Sequence, residues 1–160
     1  MTTVDSTQPT VETSPAHDIL HTLSVILVIV GLAISGYLSY VKLTEVPMIC
    51  VANSQTFNCE VVQNSAYSRI GGVPIAWFGF ATYVVLLVLL LLENHIEFLK
   101  QNGILVIFGI TLFAWLYSMY LVYLQFFVLN ALCPWCLAHE ATITLLFIVV
   151  CLRLRKTLAA

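Results

Sequence analysis

Four apolar runs dominate this chain, at about Ile19 to Val41, Pro74 to Leu92, Ile104 to Phe127 and Pro134 to Leu152. At about 1.5 Å per residue, each can cross the hydrocarbon core of a bilayer as a helix. Inside lipid every backbone N–H and C=O must find a partner within the protein, so runs of this length without strand alternation are helices. Hydrophobic residues make up 61% of the 160 positions and charged residues 9%, too few polar groups to cover a soluble globule. The predicted fold is an all-α integral membrane protein, a four-transmembrane-helix bundle. The net charge of −2 offers no basis for binding nucleic acid.

Residues 1–18 are rich in Thr, Ser and Pro and carry no Lys or Arg, which predicts a disordered tail. Because no basic segment precedes the first run, it reads as a retained span and not a cleaved signal peptide. Its small residues Gly31, Ser35, Gly36 and Ser39 suit close helix packing. From Lys42 to Val73 the chain turns polar. This is the one long loop, and Glu60 to Ser68 within it can form a short interfacial helix lying over the bundle. Glu93 to Gly103 reads as a short turn, Asn130 to Leu132 as a tight one, and 153–160 as a basic tail.

Parity places both termini and the Glu93 turn on one side, and the long loop and the Asn130 turn on the other. Lys100, Arg153, Arg155 and Lys156 outnumber Lys42 and Arg69, so the positive-inside rule assigns the termini to the cytoplasm. The expected location is the plasma or inner membrane, with the long loop on the outer face.

Four of the five cysteines fall in two pairs, Cys50 with Cys59 and Cys133 with Cys136, and the assigned topology puts all four on the outer, oxidising side. Cys133-Pro134-Trp135-Cys136 opens the fourth helix, where exposed N–H groups and the macrodipole stabilise a thiolate. Thiol exchange needs an attacking thiolate, a receiving disulfide and a resolving thiol, and a loop pair in series with a helix-start pair supplies all three. Two other readings stand beside this one. The Cys50 and Cys59 pair can be a structural staple in a tetraspan scaffold, or the four cysteines can handle metal, for which the loop spacing is wide. No metal is expected. Cys151 lies roughly 22 Å further along the helix and reads as an apolar residue without a redox role.

His139 and Glu140 lie one turn deeper than Cys136. Ionisable groups inside a span default to a functional hypothesis, here a proton relay. Tyr117, Tyr120 and Tyr123 recur every three residues, a stripe suited to packing, to an interface belt or to a quinone wall.

Cys59 is followed by Val62, Ser65, Gly72, Pro74 and Gly79, and a Cys-x-x-Cys opens the last of four helices. In this combination the chain resembles the vitamin K epoxide reductase family in its bacterial or archaeal form, over about Ile19 to Leu152. The resemblance implies a membrane thiol oxidase supporting disulfide-bond formation. Electrons would pass from a thioredoxin-like partner to Cys50 and Cys59, on to Cys133 and Cys136, and finally to menaquinone or ubiquinone. Ser65 matches a loop serine near the quinone, and Ser65, Tyr120, His139 and Glu140 are the expected quinone-site residues. Two departures stand out. Glu140 occupies the position of a quinone-contacting tyrosine of animal enzymes, and Ile75 lies near that of their asparagine. Many bacterial members carry a fused thioredoxin-like domain after the fourth helix. The chain ends at Ala160, so the partner is expected to be a separate protein.

Overall fold

The computed structural model describes residues 15–46 and 58–159. Among these residues, four helices are long and apolar enough to cross a membrane. They are α1 (Pro15–Thr44), α3 (Ile75–Leu92), α4 (Glu97–Phe127) and α5 (Pro134–Ala159). Between α1 and α3 lie a short helix α2 (Cys59–Asn64), a 3₁₀ turn (Ala66–Ser68) and a hairpin of β1 (Arg69–Ile70) and β2 (Val73–Pro74). The chain is a four-helix membrane bundle. Large apolar side chains cover its outside, Phe113 at 74% exposure among them, as a lipid solvent requires.

The core is a cluster of Val28, Tyr83, Leu86, Leu90, Ile104, Ile107, Ile143, Leu146 and Val150, drawn from all four long helices. Polar residues of α1 are accommodated locally. Ser24 and Ser35 are fully buried, and each hydroxyl donates to the carbonyl four residues back, Leu20 and Gly31, at 2.8 Å. Gly31 is a close-approach site, since a Cβ there would collide with the ring of Tyr83 on α3. The small residues of α1 thus bring α3 in close.

Several boundaries differ from the sequence expectation. The predicted disordered tail lies outside the described residues as far as position 14, but α1 already begins at Pro15, a residue suited to a first helical turn. Helix α4 starts at Glu97, not near Ile104. Its polar first turn is helical, with Glu97 favourable at the dipole's positive end and bonded to Lys100 at 3.2 Å, and Gly103 is a buried interior residue. Helix α5 does not stop at Leu152 but runs to Ala159. The reason is Arg153, read from sequence as part of a solvated tail but only 1% exposed. Its Nη2 donates to both oxygens of Glu93 at 2.9 and 2.8 Å, and His21 Nε2 lies 3.8 Å from the same carboxylate. The ends of α1, α3 and α5 therefore meet at one rim, and the two junctions carrying the paired cysteines lie at the other.

That second rim is closed by α2, the 3₁₀ turn and the hairpin. The short helix predicted over Glu60 to Ser68 is present as α2, but it ends at Asn64 and gives way to the 3₁₀ turn, and the hairpin was not predicted. The hairpin loop is Gly71-Gly72 with φ of +58° and +89°, the geometry of a two-residue primed turn that glycine adopts without strain. It returns the chain to Pro74, which leads into α3. Lys42 near the end of α1 donates to Asn64 at 3.0 Å and holds the far end of α2.

Candidate active site

The fourth span begins where the sequence suggested. Asn130, in the left-handed region at φ 47°, reverses the chain after α4, and the Ala131 N–H donates to the Gln125 carbonyl at 3.2 Å. The Gln125 side chain then turns to α5, where its Oε1 accepts the Cys133 N–H at 3.0 Å. A buried amide on α4 thus fixes the backbone of the first thiol. Trp135 packs its ring on Tyr37 of α1 at 4.7 Å.

Cys133, Cys136 and Cys151 are thiols, and Cys59 is held in a disulfide. Cys50 lies outside the described residues. Cys133 is fully buried, yet its pKa is lowered to about 7. The hydrogen bond from the Cys136 thiol is the main cause. Burial opposes it, and the N–H groups of Cys136 and Trp135 at the helix start assist it. The helix-start N–H groups invoked from the sequence thus contribute, but less than the neighbouring Cys136 thiol.

Cys59 opens α2 and is buried. The residue before it, Asn58, has two roles. Its Oδ1 caps α2 by accepting the Val61 N–H at 3.2 Å, and its own N–H donates to the Leu132 carbonyl at 3.1 Å. Asn58 precedes Cys59 as Leu132 precedes Cys133, so this bond sets the two cysteine-bearing junctions side by side. One turn further along α2, Gln63 Nε2 lies 3.9 Å from the sulfur of Cys136.

Below the lid, among residues of all four long helices, lies a cavity of about 670 Å³. Its wall is mostly aliphatic and aromatic. The polar groups include Gln63 and Ser65 of the lid, Ser118 and Gln125 of α4, and Cys136 and His139 of α5. Ser65 donates to the Val62 carbonyl at 2.8 Å. His139 meets the ring of Tyr83 edge-on at 5.5 Å, and a Cβ on Gly79 would sit 3.7 Å from its Nε2.

Two of the expected quinone-site residues stand elsewhere. Tyr120 is half-exposed and outside the cavity wall, whereas Tyr117 lines it. A step of three residues rotates the direction by about 60° short of a full turn, so the tyrosine stripe drifts from cavity to lipid. Glu140 is buried behind the wall. It accepts hydrogen bonds from Ser118 at Oε2 and from Thr144 at Oε1, the latter at 3.1 Å.

A largely apolar, membrane-embedded cavity with a thiol and a few hydrogen-bonding groups in its wall fits a quinone, whose ring is flat and whose two carbonyls accept hydrogen bonds. The comparison with known families agrees, since residues 22–151 match the Vitamin K epoxide reductase family. The chain belongs to this family. Membership makes it a membrane thiol-disulfide oxidoreductase linked to a quinone.

Sequence reasoning did not single out Gln63, Tyr83, Ser118 or Gln125, and it counted Arg153 only as a basic residue of the tail. Gln125 and Arg153 carried a usable signal, since a carboxamide and a guanidinium within reach of apolar runs require buried partners. Ser118 carried none, because a lone serine in a span is ordinarily satisfied by its own helix.

Proposed function

We propose that this family member oxidises an exported thioredoxin-fold thiol partner and passes the electrons inward through two cysteine pairs. The partner's thiolate attacks the Cys50–Cys59 disulfide at Cys50, which frees Cys59. Cys59 then exchanges with the Cys133–Cys136 disulfide at Cys133, releasing Cys136 in the cavity wall. A quinone, menaquinone or ubiquinone, supplies the two-electron, two-proton acceptor there. The termini face the cytoplasm and the cysteine rim faces outward, in the plasma or inner membrane. Ser65 and His139 hold the acceptor from the lid and from α5.

The observation that carries this reading is the Asn58 N–H to Leu132 carbonyl bond, which joins the Cys59 junction to the start of α5. A scaffold with a structural loop disulfide leaves unexplained a second thiol pair whose outer member is acidified and whose inner member borders a cavity. The test is quinone reduction by purified protein with a reduced thioredoxin-fold donor or a small dithiol. Single replacement of Cys50 or Cys59 by Ala should stop the protein donor and spare the small dithiol. Replacement of Cys133 or Cys136 should stop both. Normal oxidation of the protein donor by the loop variants contradicts the serial route.

A further inference from the structure

The hydrogen bonds around Glu140 have a direction. The Trp115 indole N–H can only donate, and it donates to Thr144 Oγ1 at 3.1 Å. The Thr144 hydroxyl proton is thereby directed to Glu140 Oε1. A proton placed on Oε1 would leave Thr144 facing two donors with its own proton unpaired, so Oε2 is the oxygen free to carry one. Its partner is the hydroxyl of Ser118, which also lines the cavity bordered by Cys136. With Glu140 ionised, Ser118 donates to Oε2. With Oε2 protonated, the same hydroxyl accepts from Glu140 and turns its proton toward the cavity.

The thiol pair creates a need for such a store. With a pKa of about 7, Cys133 is about half thiolate at neutral pH and mostly thiolate above it, and in that form the reduced pair brings one proton to an acceptor that takes two. We propose that Glu140 stores the second proton at Oε2 and that Ser118 hands it to the quinone site, making Ser118 a catalytic residue and Glu140 its proton reservoir. This rests on the quinone-linked reading above. The balance closes. The Cys133 thiolate bonds to the Cys136 sulfur, two electrons leave the pair, and the Cys136 thiol and Glu140 each give one proton. The products are a disulfide, a Glu140 carboxylate and a hydroquinone. Glu140 regains its proton from water through Ser118 once the cavity is vacated, replacing the one that Cys133 lost to solvent.

The test compares unsubstituted protein with Ser118→Ala, Ser118→Thr, Glu140→Gln and the Ser118→Ala/Glu140→Gln pair, using a short-chain quinone and excess dithiol. Ser118→Ala and Glu140→Gln are each expected to slow single-turnover quinone reduction by about 10²-fold, the lower range for general acid catalysis. The pair should be no slower than either alone, as for groups acting in series. Ser118→Thr restores the rate. Quinone affinity, read by tryptophan fluorescence, should fall by no more than about tenfold, the worth of one hydrogen bond. The infrared carboxyl band that disappears in Glu140→Gln should shift in Ser118→Ala without any quinone present. Full-rate reduction by Ser118→Ala, additive losses in the pair, or an unmoved band would overturn the relay alone. Failure of the unsubstituted protein to reduce quinone would instead remove the proposed function, and the relay with it.

Discussion

The backbone N–H of Asn58 donates to the carbonyl of Leu132 across 3.1 Å, and this bond joins two parts of the chain more than seventy residues apart. Each partner is followed at once by a cysteine. Asn58 also caps α2 through its side chain, so the cap that starts the lid and the bond that docks it come from one residue. Electron transfer by thiol exchange needs sulfurs that can meet, and in the proposed relay this bond is what keeps the two cysteine-bearing junctions together.

The acidity of Cys133 should be measurable directly. In the reduced protein, the thiolate ultraviolet absorbance that vanishes in Cys133→Ala should titrate with a midpoint near 7. Because the folded value lies below the ordinary thiol value, the thiolate and the stability it contributes are fully present above the ordinary range. They are lost as the pH falls through about 7. Cys136→Ser keeps a donor and should hold the midpoint low. Cys136→Ala removes the largest cause and leaves burial to push it up.

Much of this architecture was legible in the sequence. The four runs, a short helix in the lid and the start of the last helix at Pro134 follow from length, polarity and proline placement, because lipid leaves helices little alternative. The ends of α4 and α5 were not legible. Glu97 and Lys100 look like a turn until one sees that they pair along a helix, and Arg153 looks like a cytoplasmic tail until Glu93 is found beside it. Glu140 was visible as an ionisable group in a span, but its direction was not. The partner that turns it away from direct contact, Ser118, lies on another helix and leaves no pattern of its own.

The Arg153 and Glu93 pair sets up a stability cycle. Arg153→Met leaves a buried carboxylate without its partner and should cost about 3–5 kcal/mol in unfolding from detergent. Adding Glu93→Gln removes the uncompensated charge and should recover most of that loss. Independent, additive losses would show that the two side chains are not coupled.

Two glycines of the bundle, Gly31 against α3 and Gly79 against α5, differ in what a methyl group would meet. Gly31→Ala drives a methyl group into the Tyr83 ring and should lower stability by about 1–3 kcal/mol, the usual range for overpacking. Gly79→Ala meets His139 at an ordinary 3.7 Å and should be tolerated far better. Thermal unfolding of both variants in one detergent checks the order.

The serial route is tested most directly by trapping its middle step. In the Cys50→Ala/Cys136→Ala variant neither resolving sulfur remains, so mild oxidation should link Cys59 to Cys133, recoverable by mass spectrometry as one disulfide-joined peptide pair. Quantitative alkylation of both residues as separate thiols after the same oxidation would contradict the account.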